Sequence, residues 1–250
     1  SGATVLFTTG ALPSSMPEFS VTVHDASKVQ PGTTLFGVGG MGDDIDPVTP
    51  LYVGVDEEGE VVWYYEGDDL DLGPNHAGEL LADGSLQILG KSQVLGVSPA
   101  GETLWSIDTE LAGTVHHDAA TLSNGNVVVM TQEVQTHQVE DLGGEVPLIG
   151  DVLHELDNDG EVVWSWSTFD HLDVERFPGE LSRLFEDRVG GYDWTHANAV
   201  FHVADQDALL VSLRHQNQVL LIDHASGDVI WILGEDGDFE LVEGGEWFTS

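Results

Sequence analysis

Three histidines occupy the same place in a repeated pattern. His76 in HAGELLADGSLQILG, His117 in HDAATLSNGNVVVMT and His196 in HANAVFHVADQDALLVSLR each lead into an apolar run with a turn behind it. Eight residues separate His76 from Gly84 and His117 from Gly125, while the third copy turns on Asp205-Gln206-Asp207. Arg214 follows His196 by 18 residues, the length of one hairpin, so its strand can return beside the one His196 leads. Imidazole is a nucleophile and a proton donor or acceptor near neutral pH. Guanidinium is a bidentate clamp for tetrahedral oxyanions. A cation on an otherwise apolar strand is costly without a partner. Arg214 therefore reads as half of an anion site with the histidines, in preference to an internal salt bridge. His76 alone reads as a packing residue hydrogen-bonded to a neighbouring turn; His117 and His196 together read as chemistry.

A second repeat must position these residues. Four segments share a tight turn, a glycine, β-branched residues and a tryptophan: DEEGEVVWYY (Trp63), SPAGETLWSI (Trp105), DNDGEVVWSW (Trp164) and HASGDVIWIL (Trp231). Each is hairpin chemistry, an Asx or Ser turn feeding a strand of β-branched and aromatic residues. His-led hairpins alternating with Trp-ended hairpins give four short strands over about 40 residues, the blade of a β-propeller. The expected fold is all-β, a single propeller domain over 1–250, with about four to five blades covered. Strand-like stretches at TVLFTT, FSVTVH and TTLFGVG fill residues 1–55, and a long insertion occupies 167–193. Within it only 172–189 could hold a helix. The four tryptophans are expected to be buried at equivalent blade positions. His117, His196 and Arg214 are expected to converge on one end of the central channel.

Composition narrows the partners. Six basic residues against 45 acidic ones give 250 residues a net charge of −39. Such a chain has no general basic field for nucleic acid or an anionic membrane surface. No apolar run reaches the roughly 20 residues that span a bilayer, so no membrane insertion is expected. With no cysteine there are no disulfides and no thiol catalysis. An acidic surface poor in lysine suits solubility in high salt or secretion. The opening SGATVLFTTG carries no signal peptide, as in an excised piece of a longer precursor. The Asp157-Asn158-Asp159-Gly160 turn lacks the downstream ligands of a calcium loop and reads as a hairpin turn.

The blocks DWTHANAV (193–200), SLRHQNQVLLID (212–223), GDVIWILG (227–234) and TVHHDAATLSNGN (114–126) together resemble the arylsulfate sulfotransferase family. The similarity runs from about Thr8 to the C-terminus and is densest over 114–126 and 193–234. It implies a six-bladed propeller in a secreted, periplasmic or cell-surface protein. It also implies transfer of a sulfuryl group from an aryl sulfate to a phenol, without a nucleotide donor, through a sulfohistidine. Carried over by motif, His117, His196 and Arg214 are the catalytic candidates. The repeat register favours His117 over His116. His76, His116 and Asn198 are the candidate substrate-binding neighbours, and neither a metal nor a cofactor is implied. The family's nucleophilic histidine belongs in the blade after GDVIWILG, and the expectation is that this chain stops short of it. HASGDVIWIL would then open a terminal blade that lacks its His-led hairpin, and a further chain or a downstream segment would close the propeller. The competing reading is a catalytically inactive propeller that serves as a binding or structural module. A quinoprotein-like dehydrogenase propeller, suggested by the Trp-ended hairpins, lacks a recognisable cofactor-stacking motif.

The expectation about completeness is testable. The 250-residue chain alone should release little or no chromogenic phenol from its sulfate ester in the presence of an acceptor phenol. Longer chains carrying the downstream segment should turn over. Robust turnover by the short chain, abolished by His196→Ala, would place the nucleophile inside it.

Overall fold

A computed structural model describes residues 11–13, 16, 18–25, 27–38, 51–66, 78–90, 92–177 and 191–249. The chain divides into two compact units, Ser1–Leu70 and Asp71–Ser250. In the first, β1 (Thr34–Val38), β2 (Leu51–Val55) and β3 (Val61–Glu66) form an antiparallel sheet in that order. TTLFGVG thus supplies β1, whereas FSVTVH forms no strand and TVLFTT lies outside the described residues.

The second unit holds three more sheets. One is β4 (Gly78–Leu80), β5 (Leu86–Leu89), β6 (Gln93–Val97) and β7 (Thr103–Asp108). The next is β8 (Val115–Thr121), β9 (Val127–Val139), β10 (Gly144–Leu156) and β11 (Val162–Ser167), with β12 (Tyr192–Asp193) added alongside β10. The last is β13 (Ala197–Val203), β14 (Ala208–Leu213), β15 (Gln218–Asp223) and β16 (Val229–Gly234). The fold is all-β, a β-propeller of antiparallel blades. Helix among the described residues amounts to short 3-10 turns. One such turn, Thr168–Asp170, opens the insertion; residues 171–177 are not helical, and 178–190 lie outside the described residues.

The structure corrects the phase of the repeat. Each Trp-ended strand closes its blade instead of opening the next, so HASGDVIWIL completes the four-stranded sheet β13–β16 with its His-led hairpin upstream. The turns before three of these strands are built alike. Asp56 Oδ1 accepts from the amides of Glu58 and Glu60, Ser98 Oγ from Ala100 and Glu102, and Asp157 Oδ1 from Asp159 and Glu161. Side-chain acceptors that cap their own turns are the reason Asx and Ser recur there. A bulge then follows in all four sheets, next to the partner of the tryptophan: Gly54, Gly96, Glu155 and Leu221. At Gly96 a Cβ would stand 2.2 Å from Trp105 Nε1, so only glycine lets that indole lie across the neighbouring strand.

The four tryptophans are equivalent but half-buried, not buried. Their strand is the last of its sheet, with no further strand paired beyond it among the described residues. Trp166, two residues after Trp164, is buried instead, 3% exposed. It sits in a core shared by consecutive blades, with Met130 and Leu153 from one and Leu209, Val211 and Leu220 from the other. Its Nε1–H donates to Gly227 O at 2.8 Å, in the turn between β15 and β16. A second core, Leu89, Val94 and Ile107 against Val115, Val127 and Leu156, joins the preceding blade. Polar stitches reinforce both joints. Gln87, 2% exposed, donates to Ala119 O and accepts from Thr121 Oγ1; Glu155 accepts from Asn126 Nδ2 and contacts His224 Nε2 at 2.9 Å.

β9 and β10 run 13 residues each, so their hairpin continues beyond the blade. The extension gives β10 a free flank, where β12 pairs in parallel, Leu148 with Tyr192 and Ile149 with Asp193. Trp194, fully buried, packs there with Val139 and Leu148, and its backbone N–H donates to Ile149 O.

Trp166→Ala should cost about 3–5 kcal/mol, as expected for a fully packed indole. Trp231→Ala, on a half-buried outer strand, should cost clearly less. Denaturant unfolding of both variants checks this, and equal losses would contradict that division of burial.

Candidate active site

His117 sits where β8 is interrupted, and His196 immediately precedes β13, whose pairing shifts just after it. The β8–β9 ladder pairs Val115 with Thr131, then resumes at Ala119 with Val129; the β13–β14 ladder shifts register between Ala197 and Ala199. Released from regular pairing, His117 takes φ 59° and His196 takes φ 52°. Left-handed backbone costs a non-glycine residue roughly 1–2 kcal/mol. Two equivalent positions hold it, which marks the site as a place where fold regularity yields to side-chain placement. The turned rings meet. His117 lies 5.2 Å from His196 and 5.3 Å from His116, and His196 lies 4.6 Å from His215, between ring centroids.

Two buried carboxylates back this cluster. Asp151 on β10 is 2% exposed, and Asp193 on β12 is 4% exposed. His116 Nε2 stands 3.2 Å from Asp151 Oδ1. Asp151 Oδ2 also accepts from Thr195 Oγ1 at 2.5 Å and from the Ala197 amide at 2.8 Å. Asp193 Oδ2 lies 2.5 Å from His196 Nδ1, and the Asp193 carbonyl lies 2.5 Å from His215 Nδ1. The amides of Arg214 and His215 donate to His196 O and Thr195 O, which fastens the 193–196 segment to the end of β14. The parallel β10–β12 pair is therefore what delivers both aspartates to the histidines.

Burial and crowding tune the titration. His117 is pushed down to about 4, first by desolvation and then by the neighbouring His116 and His196. It is neutral at pH 7, with one N–H to donate and one lone pair to offer. His215 is also lowered, by desolvation first, with Arg214 and His196 adding repulsion. Desolvation raises Asp118, which bridges blades by accepting from the Val200 amide at 3.2 Å. Glu79 on β4 is raised by desolvation and by the charge of Asp118.

Of the sequence candidates, the structure brings His116, His117 and His196 together. Arg214 is half-buried in the 3-10 turn after β14, and its charge reaches His215. With Asn198, Ser212, Asn217, Gln218 and Phe248, Arg214 lines a cavity of about 280 Å³ whose lining includes neither His117 nor His196. His76 lies outside the described residues. Asp193, His196 and His215 bring ligand-type atoms within 4.8 Å of one another. Both imidazole Nδ1 atoms, however, face oxygens that can only accept, so each carries a proton and offers no lone pair to a cation there.

Sequence reasoning missed Asp151, Asp193 and His215. Asp193 and His215 stand inside the DWTH and SLRH blocks, three residues before His196 and one after Arg214. Asp151 had no signal, being one carboxylate among 45 acidic residues.

Comparison with known proteins identifies the family. The profile of the family described as arylsulfotransferase (ASST) matches residues 21–243. Arylsulfate sulfotransferase AssT of Escherichia coli O6:H1 is 26% identical over 242 residues, covering 81% of this chain and 39% of the relative. The chain thus spans well under half the length of that relative. Among solved structures, the Pan2 WD40 domain of Neurospora crassa superposes with a TM-score of 0.40 at 11% identity, over 73% of this chain and 43% of its own. A Bacteroides caccae protein of unknown function gives 0.35 at 14% identity, over 83% and 74%. No helix among the described residues is long and apolar enough to cross a membrane. With the family profile matched over nearly its whole length, the chain belongs to the arylsulfotransferase family.

Proposed function

We propose that the protein carrying this chain transfers a sulfuryl group from an aryl sulfate to a phenol, through a histidine of the protein and without a nucleotide donor. The observation that carries the reading is the meeting of His117 and His196, 5.2 Å apart, at the inner hairpins of two blades inside the family-matched region. Splitting the transfer into two displacements lowers each barrier, and imidazole is competent in both. His196 serves as the proton donor to the departing phenolate and the acceptor of the incoming phenol's proton. Neutral His117, with His116 behind it, donates to a sulfuryl oxygen. Arg214 supplies the fixed positive charge that the anionic group needs. The implied setting is outside the cytoplasm: secreted, periplasmic or at the cell surface.

One observation favours a second reading. Arg214 and Asn198 open on a cavity that His117 and His196 do not line, as in a module that binds anions without turning them over. Sulfate or aryl sulfate binding that depends on Arg214 yet persists with no phenol release would favour that module.

Under the catalytic reading, His196→Ala should lower phenol release about 10²–10⁴-fold, the usual worth of a general acid–base group. Arg214→Ala should lower it about 10²–10³-fold, as loss of one oxyanion contact does. Variants that turn over at the parent rate would remove these assignments.

The titration of His117 gives a pH prediction. Unfolded histidine binds its proton below about pH 6.5, whereas folded His117 does so only near 4. Between those values the unfolded state holds more protons, so the contribution of His117 is present above 6.5 and is lost as pH falls toward 4. Asparagine tolerates left-handed backbone. His117→Asn should therefore lose less melting temperature than the parent between pH 6.5 and 4.5. Parallel losses would show that His117 does not titrate as described.

A further inference from the structure

We infer that Asp193 is the positioning residue of His196, holding its imidazole in the tautomer that is protonated at Nδ1 and carries its lone pair on Nε2. The hydrogen bond itself decides the tautomer. A carboxylate oxygen has only lone pairs to offer, so the 2.5 Å contact between Asp193 Oδ2 and His196 Nδ1 needs the proton on Nδ1. The Asp193 carboxylate is 4% exposed, and its backbone is fixed on both sides. Asp193 pairs with Ile149 in the β10–β12 ladder, and its carbonyl receives His215 Nδ1–H. Asp151 fastens the other end of the same segment through Thr195 Oγ1 and the Ala197 amide. His196 is thereby gripped at residues 193, 195 and 197, and its ring is gripped at Nδ1.

The tautomer assigns the reacting nitrogen, a step that rests on the sulfuryl-transfer reading. In the first half a histidine nitrogen of the protein gives its lone pair to sulfur as the donor's S–O bond breaks; the S–O electron pair goes to the aryl oxygen, which takes the proton from Nε2 of protonated His196. In the second half the acceptor phenol returns a proton to Nε2. Its oxygen forms the new S–O bond while the histidine N–S bond breaks, and that pair goes back to the histidine nitrogen. His196 ends as it began, and Nδ1–H stays on Asp193 throughout. Supporting carboxylates of this kind act through the imidazole they orient, so their loss falls on kcat.

The test reads the tautomer directly. Histidine-selective ¹⁵N NMR of the 250-residue chain above pH 7 should show His196 with a protonated Nδ1 and an unprotonated Nε2. Its signals are assigned by their loss in His196→Ala. Asp193→Asn, isosteric and able to donate to Nδ1, should move His196 toward the opposite tautomer; His117→Asn should not. In the catalytically active form, Asp193→Asn should lower kcat about 10²–10⁴-fold with KM changed little. Nε2 protonated in the parent chain, or an unchanged tautomer in Asp193→Asn, overturns the proposal. The parent spectrum does not depend on Asp193→Asn, so it decides the tautomer even where that variant misfolds. A tautomer that switches with no change in kcat upholds Asp193 and removes His196 from the reaction.

Discussion

Everything at the site depends on satisfying two carboxylates that the fold takes out of water. An isolated buried carboxylate is one of the most costly groups a protein can hold, and it persists only with hydrogen bonds or an opposite charge around it. Asp151 meets that demand at Oδ2, with Thr195 Oγ1 and the Ala197 amide, and Asp193 at Oδ2 with His196 Nδ1. The carboxylates stand on β10 and β12, and their partners come from the three residues between β12 and β13 and from the start of β13. Satisfying the charges therefore fixes how two blades meet and where the His196 imidazole points. The apolar core behind them, from Met130 to Leu220, closes the same joint from the other side.

The repeat was legible in the sequence because turns and strands have local chemistry. Asp56, Ser98 and Asp157 cap their own turns, and the tryptophans follow at fixed distance. What local chemistry cannot give is phase. A Trp-ended hairpin looks the same whether it opens or closes a blade, and only the pairing of β15 with β16 shows that it closes one. The repeat tryptophans are less buried than their pattern suggests for the same reason, since an outermost strand is defined by what lies beyond it. Trp166, buried two residues beyond Trp164, stands where the other copies carry Tyr65, Ile107 and Leu233.

The histidines were legible as equivalents, but their partners were not. Asp151 and Asp193 become neighbours through an extension of one hairpin and a two-residue parallel strand, 42 positions apart in sequence. Neither feature has a periodicity to read. Equivalence also concealed a difference. His117 and His196 share a register and a left-handed backbone, yet one is pushed down by desolvation and like neighbours while the other is held by a carboxylate. Environments that separate two like groups are how a site divides chemical labour. A duplicated blade offers two copies of one residue, and non-repeated elements then make them different.

The charge of the chain bears on recognition as well. A net −39 produces a field that opposes an anionic donor such as an aryl sulfate at distances within the Debye length. Attraction must therefore act at short range, from groups whose hydrogen bonds outweigh that field on contact. Arg214, half-buried among 45 acidic residues, is such a group, and so are neutral imidazole N–H donors, which carry no net charge for the acidic surface to neutralise. The depressed titration of His117 then has a use beyond the reaction. A cationic ring there would recruit the nearest carboxylate, Asp151 or Asp193, both of which already favour its protonation. Kept neutral, it leaves Asp151 to His116 and Asp193 to His196, and its own N–H stays available to a sulfuryl oxygen.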